Sequence, residues 1–262
     1  VSHTIDYLYC VVPSGASLTD APPGLDASPV RTVALETFTA VTSQLDAAMY
    51  TGEAMTSLVG DVAWVTPRAM AHDRVVTWVS DRVDAVIPMP MWTLYSGDAA
   101  LRDALGQQAP TLASTLAHVA GAREYSVRLF ARRDAVAASL GALSEEIAAL
   151  HHAVEAASPG QAYLLSRKLA AATTTEVRQV AIRVGDELVA ALSPHARATV
   201  RESLPKPEGD GFAVVNAAFL VQHAEFDAFR SALSAFIARY EPLGFRCEFT
   251  GPWPPYHFVR DR

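Results

Sequence analysis

The 262 residues include only two cysteines, Cys10 and Cys247, and neither has a CxxC neighbour or a nearby ligand set. That excludes a disulfide framework and a zinc ribbon. Both lie in apolar, strand-like runs, so they read as buried free thiols suited to a reducing cytosol. A basic excess is also missing: 21 Lys and Arg stand against 28 Asp and Glu, for a net charge of −7. Phosphate-backbone binding requires the opposite sign, so nucleic acid is not an expected partner. Charged residues are only 19% of the chain while half of it is apolar, which excludes disorder over the whole length. No apolar run approaches the roughly 20 residues needed to span a bilayer, so no membrane is expected. The opening VSHTIDYLYCVVP lacks a basic n-region, a long apolar core and a cleavage site, and the expectation is a soluble, cytoplasmic protein.

Catalytic motifs are missing as well. There is no GxxxxGKS or GxGxxG loop, no HExxH and no GxSxG elbow. The eight histidines, at 3, 72, 118, 151, 152, 195, 223 and 257, are scattered, and none pairs with a cysteine at zinc spacing. Glu145-Glu146 reads as a solvated helix face. The chain therefore names no catalytic residue, no metal ligand and no cofactor, and is not expected to be an enzyme.

Charge is unevenly distributed. Residues 1–120 hold twelve acidic and five basic side chains, net −7, whereas 121–262 hold sixteen of each. Together with the length, this predicts two domains divided near residue 120, the first favouring basic partners. In that first half, Ile5 to Val12 reads as a strand, 13–29 as an exposed loop, and Val30 to Val41 as one or two further strands or a hairpin. Residues 43–62 show no firm period and read as a loop with a short helix. Thr66-Pro67 has the form of an N-cap followed by an N1 proline. It predicts a helix from there to about 85, with His72, Val76, Val79 and Val83 on one face. His72 on that face reads as a core histidine bonded to a neighbour. Pro88 and Pro90 confine the run Ala85 to Leu94 to an edge or a bulge. Two short helices follow, through Leu101 and Leu105 and through Leu112, Leu116 and Val119.

The second half has a sharper pattern. Glu124 to Ala131 reads as a strand. Val136, Leu140, Leu143, Ile147, Leu150 and Val154 then recur at spacings of 4, 3, 4, 3 and 4, a two-position heptad seam. Ser158-Pro-Gly-Gln161 has capping-box form and starts a second helix carrying Leu169, Thr173, Val177, Val180, Val184 and Leu188. The two make an antiparallel hairpin, 134–192, whose narrow seam packs one helix on another, either its own second arm or a helix of another protein. His151-His152 point about 100° apart on that helix and lack partners for a metal. After a break at Ser193-Pro194 come Ala198–Leu204 as a possible strand, an exposed turn at 205–211, and Phe212–Val221 as a central strand. A helix with Phe226, Phe229, Leu233, Phe236 and Tyr240 on one face and a last strand, Phe245–Thr250, complete the order. This predicts an α+β chain whose C-terminal domain, 121–250, follows a modified ferredoxin-like, split β-α-β-β-α-β plan with an inserted helical hairpin and an open sheet face.

The tail, 251–262, opens Gly251, Pro252, Trp253, Pro254, Pro255, Tyr256 and continues through His257 and Phe258. Its prolines prevent helix and its aromatics are too apolar to trail in water. It reads as an extended clasp packing back on the N-terminal half, or as an aromatic-proline partner site. The tail TGPWPPYHFV, NAAFLV ahead of a helix, AREYSVRLF, AYLLSRK and the opening YLYCVV together resemble the gas vesicle protein F/L family, in order and over nearly the whole chain. In that family a segment of the Leu-Arg-Phe-Gly-Thr type is expected after the Val-Ile-Pro run. Here it reads Met89-Pro-Met-Trp-Thr93, without the arginine and the glycine.

The resemblance implies an accessory protein of gas vesicle assembly or nucleation, cytoplasmic and a minor vesicle component. Its implied partners are the small hydrophobic shell protein, whose aggregation it would prevent, and other gas vesicle accessory proteins. The alternative from the residues is a small-ligand-binding regulatory module of ferredoxin-like fold, which requires a polar-lined pocket. A metal-dependent enzyme would require folding to gather the scattered histidines and acids.

Overall fold

The computed structural model describes residues 4–206 and 211–259. The chain is mixed α+β and divides into two units: one takes in the chain up to Glu124 together with the chain from Pro252 onward, and the other is Tyr125–Gly251.

The first unit is built around β1 (Thr4–Pro13), which is buried on both faces from Ile5 to Val12. Strands β2 (Val30–Ala34) and β3 (Phe38–Asp46) form an antiparallel pair in which β3 lies next to β1. The short helices α1 (Ala47–Tyr50) and α2 (Gly52–Leu58) lead into α3 (Val62–Ser80), whose Val75, Val76 and Val79 join Tyr7, Tyr9, Cys10 and Val12 in the core. The proline-containing run forms β4 (Ile87–Pro88) and β5 (Leu94–Tyr95), both on the far side of β1, giving the order β2-β3-β1-β4 with β5 also on β1. Then come α4 (Asp98–Gln107) and α5 (Ala109–Val119), and α5 runs against β1 and β4.

The start of α3 differs from the sequence expectation. Asp61, not Thr66, is the N-cap, its carboxylate accepting from the Ala63 amide at 2.9 Å. Pro67 therefore lies inside the helix, a placement that forgoes one backbone hydrogen bond. The earlier start puts Trp64 on the helix, where it stacks on Trp92 with ring centroids 5.3 Å apart.

The second unit begins in β6 (Ala122–Arg132), followed by α6 (Arg133–Leu143), α7 (Glu145–Glu155) and α8 (Pro159–Leu192). The first arm of the helical segment is thus two helices rather than one. Ser144 is extended at φ −142°, ψ 119° and caps α7, whose first turn carries Glu145 and Glu146 against the helix dipole. The heptad seam runs through this break: Val136, Leu140, Ile147 and Leu150 are all buried with Val177, Val180, Val184 and Leu188 of α8. Burial on α8 begins at Val177, while Tyr163 and Leu164 near its start are about two-thirds exposed. At Ser158 the side chain bonds Gln161 rather than a backbone amide.

After α8, β7 (Ala198–Arg201) pairs antiparallel with β8 (Gly211–Gln222), and α9 (Phe226–Tyr240) leads to β9 (Phe245–Trp253). The sheet order is β7-β8-β6-β9. β8 is interior and β9 is an edge, where Pro252 is tolerated. The turn expected at 205–211 falls largely on 207–210, outside the described residues. The helices cover the sheet face that carries Tyr125, Val127, Leu129 and Ala131 of β6, with Phe229, Leu233, Phe236 and Tyr240 of α9 in the same core.

Gly244 turns the chain from α9 into β9 at φ +98°, and its carbonyl accepts the Arg132 amide at 3.0 Å. A Cβ there would stand 2.7 Å from the Ala135 Cβ and 2.8 Å from the Val136 nitrogen. Gly244→Ala combines left-handed strain with overpacking and should lower stability by about 2–4 kcal/mol. In urea denaturation the midpoint should fall with the slope unchanged.

Candidate functional site

From Pro252 onward the tail motif belongs to the first unit. Gly251, Pro252 and Trp253 finish β9, Pro254 and Pro255 are buried, and Tyr256–Phe258 make a short 3-10 turn with Phe258 buried. Tyr256 packs against the core of Tyr7, Tyr9 and Val76, and burial raises its hydroxyl pKa above the ordinary tyrosine value. Glu124, 2% exposed, fastens the turn: one carboxylate oxygen accepts the His257 amide at 2.9 Å and the other meets His257 Nδ1 at 2.6 Å. Tyr256 and Val259 also wall a cleft of about 370 Å³ with Ile87, Met89, Leu112 and Thr115.

Beside the tail, β1 and α3 hold the 89–93 segment. The Met89 amide donates to the Tyr9 carbonyl, which leaves the Met89 carbonyl to accept from the His72 ring. A neutral ring donating there accepts at Nδ1, and Nδ1 lies 2.7 Å from the Tyr7 hydroxyl. The Tyr7 oxygen in turn accepts the Trp92 amide. His72 is therefore a buried, fully engaged histidine, as its apolar helix face implied. Burial lowers its pKa to about 4, against the opposing effect of the Met89 carbonyl.

A second cluster had no signal in the sequence. Arg68 pairs with Asp26 at 2.6 Å, donates to the Tyr50 hydroxyl at 2.8 Å, and lies 4.0 Å from the Trp64 ring centroid. Tyr50 donates to Asp26. These side chains come from a loop, α1 and α3, so no local spacing announces them. The other candidates stay apart. His151 and His152 are exposed on α7, with His152 Nδ1 3.7 Å from Glu155, and Cys10 and Cys247 are free. Burial raises the Cys10 thiol pKa, and burial followed by Glu241 raises that of Cys247 to about 11. Among the described residues no group of three His, Cys, Asp or Glu is placed to hold a metal, and no helix is long and apolar enough to cross a membrane.

Large apolar side chains do reach solvent. On the helical segment α1–α3 these are Met49, Val59, Val62 and Met70, with Val62 76% and Met70 63% exposed. Met55 and Val59 line an open depression with Tyr50.

Residues 6–260 match the family model described as gas vesicle synthesis protein GvpL/GvpF. The chain belongs to the gas vesicle protein F/L family. It is 29% identical over 270 residues to gas vesicle protein L2 of Halobacterium salinarum, covering 97% of this chain and 91% of the relative. It is 30% identical over 259 residues to gas vesicle protein L of a Streptomyces species, covering 97% and 92%. Its fold is similar to the crystal structure of the gas vesicle protein GvpF from Anabaena, with a TM-score of 0.69 at 16% identity over 99% of this chain and 97% of that one. The corresponding protein from Microcystis aeruginosa gives 0.64 at 17% identity over 98% and 99%.

Trp92, in the segment Met89-Pro-Met-Trp-Thr93, has a φ of +68°. The backbone there adopts a conformation that favours glycine, at a strain of roughly 1–2 kcal/mol. The indole offsets this by stacking on Trp64 and lying edge-on to Tyr7 at 6.5 Å. Trp92→Gly and Trp92→Ala both lose the ring, but only glycine relieves the strain. Thermal unfolding should rank parent above Trp92→Gly, and Trp92→Gly above Trp92→Ala by about 1 kcal/mol.

The low His72 pKa fixes a sign. The unfolded ring takes a proton below about pH 6.5, whereas the folded one resists it down to about 4. The unfolded state therefore binds more protons in that window, and stability should fall as pH drops through it, by up to about 3 kcal/mol. In melting curves against pH, His72→Gln, which can still accept from Tyr7, should flatten this component of the fall.

Proposed function

We propose that this chain is a gas vesicle accessory protein that binds the small hydrophobic shell protein without covalent chemistry. In this reading it assists assembly or nucleation and keeps the subunit from aggregating before it is built in. Membership of the F/L family across nearly the whole chain carries the reading. The first unit supplies a surface suited to it. Met49, Val62 and Met70 on helices of the acidic half and Val59 at the end of α2 are exposed, and Met side chains adapt to varied apolar partners. The surrounding negative charge would keep a complex with an apolar subunit soluble. The protein then acts in the cytoplasm and at the vesicle, with other accessory proteins as further partners.

The purified protein should keep the shell protein in solution at near-equal molar ratio without nucleotide, as followed by light scattering. Val62→Asp combined with Met70→Asp should remove most of that holding at an unchanged melting temperature, because both side chains are exposed. Equal precipitation with and without the protein would sink the reading, and full holding by the double variant would move the contact off α3. These substitutions are cleaner than deleting residues 1–120, since the deletion would also strip the tail of its seat.

The small-ligand reading has one observation in its favour, the cleft walled by Tyr256. Its described polar side chains are Gln108, Thr111, Thr115 and Tyr256, and Thr115 already donates to the Thr111 carbonyl. A thermal-shift screen against metabolites would reveal a ligand there.

A further inference from the structure

We infer that part of the second unit's sheet face opposite its helices is a docking groove for an extended acidic segment of a partner protein. On β6, Val127, Leu129 and Ala131 face the helices and are buried, so Arg128, Phe130 and Arg132 line the opposite face. They wall a groove of about 320 Å³ together with Arg246 and Glu248 of β9 and with Lys206. Among its described lining residues are four cations and one carboxylate, in a chain whose overall charge is −7.

That carboxylate is already committed, since Glu248 pairs with Arg246 at 2.5 Å. The Arg246 guanidinium also lies 4.7 Å from the Phe130 ring centroid, so it is fixed above the floor of the groove. Arg128 makes only a long contact, 3.4 Å to the Asn216 amide oxygen. The side chains of Arg132 and Lys206, both exposed, have no partner among the described residues. Four cations gathered with a single carboxylate among the described lining residues favour an anionic occupant.

The spacing selects its form. Arg128 and Arg132 are four residues apart on one strand face, about 13 Å at the usual rise. A single phosphate would meet both arginines only if their side chains folded inward over Phe130, whereas an extended peptide with carboxylates two and four residues apart can meet both in extended form and pass over Phe130 between them. Entry is over the face rather than by strand addition, because Gly251 and Pro252 interrupt the free edge of β9. A nucleic acid strand is disfavoured because the chain as a whole repels a dense polyanion at long range.

The probe is a fluorescein-labelled Glu-Val-Glu-Val-Glu peptide, titrated with the full chain at low salt and read by anisotropy. Saturable binding is expected, weakening with salt, and reduced at least about tenfold in Arg132→Glu/Lys206→Glu. The Val62→Asp/Met70→Asp variant should bind the peptide normally, which separates this site from the shell-protein surface. Equal affinity for the all-Gln peptide, or undiminished binding by a double variant of unchanged melting temperature, overturns the proposal. So does displacement of the peptide by inorganic phosphate or by a single-stranded oligonucleotide at equal charge concentration. Should the charge reversal unfold the protein, Arg132→Gln/Lys206→Gln replaces it, with a loss of at least a few-fold required.

Discussion

Burying a strand on both faces while it carries ionisable and hydroxyl-bearing side chains constrains everything packed around it. β1 does this with Asp6, Tyr7 and Tyr9, all within 1% of full burial. A buried polar atom left unpaired costs about 1–3 kcal/mol, so each of these side chains draws in a distant part of the chain. Asp6 takes Arg31 of β2 at 2.5 Å. The Tyr9 hydroxyl accepts the Leu25 amide at 2.9 Å and donates to Ser43, seating the loop before β2 against β3. Tyr7 engages His72 and Trp92 and so fixes α3 and the 89–93 segment at once. The first unit is organised by these polar obligations as much as by the apolar contacts of its core.

What could be read from sequence follows from how local each signal is. The seam from Val136 to Val154 and the aromatic face of α9 are set by spacings of three and four, and Val136, Leu140, Ile147, Leu150, Phe229, Leu233, Phe236 and Tyr240 are buried, while Leu143, Val154 and Phe226 are partly so. His72 was legible because it shares a face with Val76 and Val79. The first-arm break was not, because a capping serine at 144 interrupts a helix without disturbing the spacing of its apolar residues. Pro67 misled for the opposite reason: a strong local start signal was overridden by Asp61 and by the stacking of Trp64, which depends on a residue 28 positions away. The Arg68 cluster and the Glu124–His257 pair left no trace in any window, since their members meet only through the fold.

The charge asymmetry acquires a structural meaning once the side chains are placed. The acidic half has little positive charge to spare, and its arginines 31, 68 and 102 are engaged with Asp6, Asp26 and Asp98. In the nearly neutral second unit several pairs tie helices and strands together, Arg239 with Glu187 and Arg201 with Asp186 among them. Among the described residues the groove cations Arg128, Arg132 and Lys206 have no carboxylate partner. Net charge near zero thus conceals a locally cation-rich groove among the described residues.

The chain leaves the first unit after Glu124 and returns to it at Pro252, so Glu124 and His257 close a loop of 133 residues. Loop-closure entropy grows only slowly with length, and its length-dependent part for such a loop is about 4 kcal/mol. The buried Pro254, Pro255 and Phe258 and the two hydrogen bonds to Glu124 are contacts of a size to offset it. Prolines lower the opposing cost further, because their fixed φ leaves less freedom to lose. The composition of the tail is therefore matched to its position. A segment that must be held far along the chain from its seat is built from residues that are stiff before they dock and apolar once docked.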